Sequence, residues 1–284
     1  MDILPFKHSK FITAYGAPAS GKTHLAKFII QLYYELGFLQ WLNVITGSPD
    51  DWEGLPEECI VSNTAECRDR FAKTLEEIKK TNPKRKLENL NDDTDPILWY
   101  MRNLLEPFGA QIPGMPGVLV LDDLSGDYNF KEKEFVKLFT RYRHYCKRQK
   151  TDKEGLMTVV LLSHYAKLIT PVVRQAITDC AVFAQTGDDS VKAIFAAIGS
   201  YDFGNTKEWT KYLNANTDME ARKFIWFSKK AAPGWPAWQP VICPELPPLS
   251  NIFAPQEEEE QPLDKKRKRQ DEDTEDVKDP KRPC

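Results

Sequence analysis

The sequence predicts an α/β fold, a mainly parallel sheet flanked by helices, followed by a disordered C-terminal tail. Two observations predict it. Gly16-Ala17-Pro18-Ala19-Ser20-Gly21-Lys22-Thr23 matches G-x-x-x-x-G-K-[ST], a loop that cradles phosphates, and it stands between a short apolar run and a helical pattern. Farther along, Gly117-Val118-Leu119-Val120-Leu121 is an unbroken apolar run that ends in Asp122-Asp123. Continuous rather than alternating apolar residues indicate a strand covered on both faces, as in a parallel sheet between helical layers.

The elements follow in order. Phe11 to Tyr15 reads as the first strand, and Thr23 to Phe38 as a helix with apolar spacing through Leu25, Phe28, Ile29 and Leu32. Trp41 to Thr46 is a second strand, closed by the turn signal Gly47-Ser48-Pro49-Asp50. A short strand at Cys59-Ile60-Val61 and a helix over Glu66 to Lys80 come next. Lys79 to Pro96 breaks the pattern with a basic and then an acidic cluster, an exposed loop that is either solvated surface or a DNA-facing element. Pro96 to Phe108 is predicted helical. Phe130 to Lys150 is predicted as a basic amphipathic helix, with Phe135, Leu138, Phe139 and Tyr142 inward and Lys133, Lys137, Arg141 and Arg148 mostly outward. Leu156 to Leu162 is another buried strand, ending in Ser163-His164; Cys180 to Ala184, a helix over Ser190 to Ile198 and a strand or hairpin at Phe224 to Ser228 follow. Five parallel strands are expected. Trp235 and Trp238 lie in a Pro-rich stretch running to Pro248, expected along the surface, with capsid docking as the alternative use.

This order places the chemistry. The loop glycines let backbone N–H groups curl around a phosphate, and the helix N-terminus adds partial positive charge. Lys22 is the candidate for the β/γ-phosphate oxygens of ATP, and Thr23 with Asp122 for Mg²⁺. Asp123 is placed to orient or deprotonate an attacking water, and Ser163 or His164 to sense the γ-phosphate or that water. The competing readings are that the aspartates cap the next turn and that His164 is a packed bystander.

Composition bounds the rest. The 284 residues suffice for a large core, and we divide them into a phosphate-loop ATPase domain at 1–250 and a tail at 251–284. No apolar stretch approaches the roughly 20 residues of a membrane helix, so no membrane association is expected. The start, Met1-Asp2-Ile3-Leu4-Pro5, does not resemble a secretory signal. Cys59, Cys67, Cys146, Cys180, Cys243 and Cys284 are scattered without C-x-x-C spacing, which points to a reducing compartment and away from a zinc site or disulfide framework. From Glu257 onward there are 11 acids and 8 bases, leaving 31 of each in residues 1–256, so any nucleic-acid contact must come from local patches. The tail is charged and nearly free of large apolar side chains. Within it, Lys265-Lys266-Arg267-Lys268-Arg269 after Pro262 has the form of a nuclear localisation signal; a solubilising or phosphate-binding tail is the alternative.

The order of motifs resembles the viral genome-packaging ATPases of the poxvirus type, within the FtsK/HerA superfamily of DNA pumps, over roughly residues 8–230. Four features carry the likeness: the loop Gly16 to Thr23, the strand ending Leu121-Asp122-Asp123, the Arg143-His144 pair in Phe139-Thr140-Arg141-Tyr142-Arg143-His144-Tyr145, and Ser163-His164 followed by Thr170-Pro171-Val172-Val173-Arg174. The resemblance implies a homo-oligomeric ring that hydrolyses ATP with Mg²⁺ at subunit interfaces. Such a ring drives double-stranded DNA into a preformed capsid, with capsid or portal vertex proteins as partners. It makes Arg174 and Arg143 candidates for the arginine that reaches across an interface to the γ-phosphate, with the choice between them open. Two departures are Pro18 inside the loop and Ala176 where the family often has Asn. No large nuclease-like segment follows, so cutting of concatemeric DNA is expected of another protein. With the tail, the resemblance implies a host-nuclear protein, delivered by the nuclear import machinery, of a DNA virus or a large self-synthesising transposon.

Two other functions compete. A nucleoside or nucleotide kinase also uses the phosphate loop and often an Asp-Arg-His segment, but here the Arg-His pair lacks the Asp. A DNA-binding capsid assembly factor that holds ATP without hydrolysing it would not need Lys22, Thr23, Asp122 and Asp123 together.

Overall fold

The computed structural model describes residues 9–105, 114–124, 126–147, 149, 155–229 and 237–253. The strands are β1 (Phe11–Tyr15), β2 (Trp41–Thr46), β3 (Ile60–Val61), β4 (Gly117–Asp122), β5 (Met157–Ser163), β6 (Asp179–Val182), β7 (Lys223–Ser228) and β8 (Trp238–Ile242). They form one sheet in the order β3-β2-β4-β5-β1-β6-β7-β8. All pairings from β3 to β6 are parallel, and β7 and β8 are antiparallel. The mainly parallel sheet flanked by helices is therefore what the sequence predicts, and the fold is that of a P-loop NTPase.

The unbroken run of β4 is divided between two cores. Val118 and Val120 join Ile12, Ala14, Val160 and Leu162 beneath α1 (Lys22–Glu35), which contributes Leu25, Phe28, Ile29 and Tyr33. Leu119 and Leu121 join Phe11, Tyr15, Val159 and Leu161 on the other face. That face is covered by α2 (Ala65–Thr81), α3 (Pro96–Tyr100), α4 (Lys133–Arg141), α5 (Pro171–Ala176), α6 (Asp188–Ala197) and α7 (Thr206–Asn216). Alternating side chains along each strand serve both layers, which is why the sequence reads as continuous apolar.

Several boundaries differ from expectation for identifiable reasons. α1 stops at Glu35, short of Phe38, because Gly37 adopts φ 70°. The Gly37 N–H then donates to the Tyr34 carbonyl and the Phe38 N–H to that of Tyr33, which closes the helix. Of the helix expected over 130–150 the described residues show α4: a 3₁₀ turn follows at Tyr142–His144, Cys146 takes φ 56°, and the Arg143 and Tyr145 carbonyls accept from the Gly155 and Leu156 N–H groups just before β5. Phe135, Leu138, Phe139 and Tyr142 face inward as read, while Arg148 lies outside the described residues. The helix from Pro96 passes into a π-helical turn at Met101–Leu105, and its expected end at Phe108 also lies outside.

Among the described residues the sheet has six parallel strands rather than five, and the stretch expected along the surface contains β8. Its Pro240 is exposed on the edge, where a missing N–H is harmless. Trp238 packs within the fold, its ring 4.3 Å from Phe227 and its indole donating to Asp202; Trp235 is outside the described residues. α7 is a further addition: Asn205 accepts from the Glu208 N–H at its start, and Trp209 and Leu213 are buried. A short helix, α8 (Ser250–Phe253), carries regular structure past the boundary expected at residue 250. The tail with Lys265 to Arg269 lies outside the described residues.

The loop after α2 is tied down. Lys79 and Lys80 fall in the last turn of the helix, where cations complement its dipole, and the Glu88 N–H donates to Asn103 Oδ1 while the Trp99 indole donates to the Glu88 carbonyl. Lys84 and Lys86 are exposed.

Candidate active site

The phosphate loop joins the carboxyl end of β1 to α1. Gly16 cannot carry a side chain there, since a Cβ would lie 2.3 Å from Ser20 Oγ and 2.8 Å from Phe183 Cβ. Gly21 takes φ 99°, which places it at the N-terminus of α1 without a side-chain cap. The first intrahelical bond runs from Leu25 N–H to Gly21 carbonyl, and no acidic residue occupies the first turn. The N–H groups that precede it, and a buried Ser20 hydroxyl with no hydrogen-bond partner among the described residues, form a cradle for an anion.

The neighbouring strands deliver the rest. Because β5 lies between β1 and β4, the carboxyl ends of all three strands meet at the loop. The cleft there, about 510 Å³ and open to solvent, is lined by Pro18 to His24, Asp51, Asp122, Asp123, His164 and Arg222. Thr23 Oγ1 donates to Asp122 Oδ2 at 3.2 Å, and the indole N–H of buried Trp52 donates to the same oxygen at 3.0 Å. Burial pushes the Asp122 carboxyl up from its ordinary range, while these two donors oppose the shift. Asp123, just past the strand, holds φ 52°, a conformation uncommon outside glycine. Its carboxylate is thereby offered to the cleft, 3.5 Å from His164 Nε2 and 3.4 Å from Ser48 Oγ.

Lys22 is almost fully buried. Its ammonium donates to the carbonyls of Gly16 at 3.0 Å and Ala17 at 2.8 Å and lies 3.1 Å from His164 Nδ1. Burial pushes it down to about 8, against the pull of Asp122 and Asp123. The residues fit a magnesium ion: Mg²⁺ keeps most of its waters and takes one or two protein oxygens beside phosphate, and Thr23 with Asp122 supplies such a pair. Among the described residues no cluster of three or more His, Cys, Asp or Glu forms a closed cage, which is a different kind of site.

Loop residues, Thr23, Asp122, Asp123 and His164 thus share one cleft. Ser163 points away from it, exchanging hydrogen bonds with the Tyr165 backbone. Arg143 and Arg174 lie outside it. Arg143 is exposed on the 3₁₀ turn, its carbonyl accepting from Gly155 at the amino end of β5, whereas the cleft is at the carboxyl end. Arg174, on α5, donates from Nε to the Ile169 carbonyl.

Sequence reasoning missed His24, Asp51, Trp52 and Arg222. Asp51 and Trp52 follow the carboxyl end of β2, a position where open parallel sheets bind ligands, and that placement was a usable signal. Arg222 had no local signal: it precedes β7, whose antiparallel course brings its amino end to the carboxyl ends of the parallel strands. Its Nη1 stands 3.4 Å from His24 Nε2.

Strand order, phosphate loop and acidic strand define a P-loop nucleotide-binding α/β protein. No protein-family model matches the chain, and no curated protein matches it. Among solved structures it is similar to the genome-packaging NTPase B204 from Sulfolobus turreted icosahedral virus 2 in complex with AMPPCP, at 12% identity and a TM-score of 0.48, covering 78% of this chain and 94% of that one. The conjugation coupling protein TcpA of pCW3 with ATPγS gives 13% identity and 0.41, over 78% of this chain and 58% of that one. EssC (ATPases 2 and 3) from Geobacillus thermodenitrificans gives 10% and 0.44, over 86% and 42%. None of these three reaches a TM-score of 0.5.

Proposed function

We propose that this chain is an ATPase that couples hydrolysis to translocation of double-stranded DNA, packaging the genome of a virus or virus-like transposon into a capsid. The observation that carries the hydrolytic part is the convergence of Lys22, Thr23, Asp122, Asp123 and His164 at the carboxyl ends of three adjacent parallel strands. The loop N–H groups and Lys22 hold the phosphates, and Thr23 with Asp122 holds Mg²⁺. Held there, Mg²⁺ would supply neutralisation of the charge on the transferred phosphoryl group. Asp123 and His164 orient the attacking water, and Asp123 accepts its proton.

The motif order that resembles packaging ATPases supports the DNA-translocating part. In this reading subunits form a ring, Arg143 or Arg174 serves the neighbouring subunit's site, and partners are DNA and capsid or portal vertex proteins. The basic run Lys265 to Arg269 supports delivery to the host nucleus; its deletion should leave the protein cytoplasmic, and unchanged nuclear accumulation in imaged cells would argue for another route.

A kinase is less well supported, because the Arg143-His144 pair follows Tyr142 rather than the Asp that often precedes it in that class. Supplying radiolabelled ATP tests this. Release of inorganic phosphate without an added acceptor is expected, and transfer of label to nucleosides would overturn the hydrolase reading.

A further inference from the structure

The segment from Gly47 through the 3₁₀ turn Pro49–Trp52 makes three hydrogen bonds to the acidic pair. The Gly47 N–H donates to the Asp122 carbonyl at 3.3 Å, Ser48 Oγ donates to Asp123 Oδ2 at 3.4 Å, and Trp52 Nε1 donates to Asp122 Oδ2 at 3.0 Å. The approach is close enough that a Cβ on Gly47 would lie 2.9 Å from the Asp123 carbonyl oxygen. Trp52 itself has no exposed surface and packs in the same core as Leu55, Leu249 and Ile252.

A buried indole N–H needs some acceptor, and an ordinary backbone carbonyl would satisfy it. Here the acceptor is the strand-end carboxylate, and the same oxygen also takes the Thr23 hydroxyl at 3.2 Å. Both donors therefore sit on Oδ2, and among the described residues Oδ1 has no hydrogen-bond partner. A carboxylate fixed through one oxygen presents the other in a single direction.

We propose that Trp52 is a positioning residue for the magnesium site: its indole N–H pins Asp122 through Oδ2 and leaves Oδ1 for the hydrated cation. This rests on the reading that the cleft binds Mg²⁺ with nucleotide. The loop after β2 thus acts as a brace, and Trp52 carries most of its effect because its bond is the shortest and the most buried.

The test is Trp52→Phe, which removes the N–H and keeps an aromatic ring, read by calorimetric binding of ADP with chelator and over a Mg²⁺ series. The wild type should bind ADP more tightly as Mg²⁺ rises. In the variant the affinity without Mg²⁺ should stay within about twofold, while the Mg²⁺ needed for half of the tightening rises by about 10-fold or more. An unchanged Mg²⁺ requirement, or an equal loss with and without Mg²⁺, overturns the inference while leaving nucleotide binding standing. Absence of Mg²⁺-linked binding in the wild type overturns both. Because Trp52 is buried, the wild-type indole N–H resonance gives a second measurement that needs no variant. It should shift when Mg²⁺ is added to the ADP-bound protein, and an unmoved resonance overturns the inference.

Discussion

His164 Nδ1 lies 3.1 Å from Lys22 Nζ, which joins the end of β5 to the phosphate loop. Nδ1 also lies 3.1 Å from the Gly16 carbonyl oxygen, while Nε2 faces Asp123 Oδ1 at 3.5 Å. The Lys22 ammonium donates to the same Gly16 carbonyl at 3.0 Å, so lysine, carbonyl and imidazole meet at one point. Lys22, His164 and Asp123 form a chain from the phosphate end of the cleft to the water-orienting carboxylate. Replacing His164 by Ala should lower kcat by about 100-fold with KM changed little, because the imidazole acts on the reacting end rather than on nucleotide binding. Steady-state kinetics check this, and a raised KM at constant kcat would assign His164 to binding alone.

Arg222 predicts the opposite pattern. It is exposed at the cleft beside His24 and next to Gly21 of the phosphate loop, where its guanidinium would meet the phosphates of a bound nucleotide. Arg222→Ala should weaken ADP binding by about 10-fold, the worth of one charge-assisted hydrogen bond, and leave kcat near the wild-type value. Calorimetry with ADP and saturating kinetics separate the two effects.

Phe139 is fully buried, stacked on Phe11 with centroids 5.0 Å apart and edge-on to Phe130 at 5.9 Å. It ties α4 to β1, the strand that leads into the phosphate loop. Phe139→Ala should destabilise the fold by about 3–5 kcal/mol through the cavity it leaves. Denaturant unfolding measures the loss, and a change below about 1 kcal/mol would mean that α4 repacks.

The parallel layer was legible because its strands are buried on both faces, so β1, β2 and β4 read as apolar runs with sharp ends. Helices were legible where an apolar stripe stood alone, as in α2 with Phe71 and Leu75. α7 was lost because Trp209, Tyr212 and Leu213 are thinly spread among polar residues, and its Asn205 to Glu208 cap is the signal that marks it. β8 was hidden by Pro240, which a central strand forbids and an edge strand permits. In the site, loop and acidic strand could be read because backbone geometry fixes their spacing. Trp52 had only its place after the carboxyl end of β2 to mark it, and Arg222 had nothing local, since the reversal of β7 brings it to the cleft.

The central claim is hydrolysis in this cleft coupled to DNA. ATP turnover by the purified protein with and without double-stranded DNA, beside a Lys22→Ala variant whose melting confirms folding, tests it most directly. DNA should accelerate turnover, and the variant should lose it to background. Turnover that is indifferent to DNA, or that survives in the variant, would contradict the account.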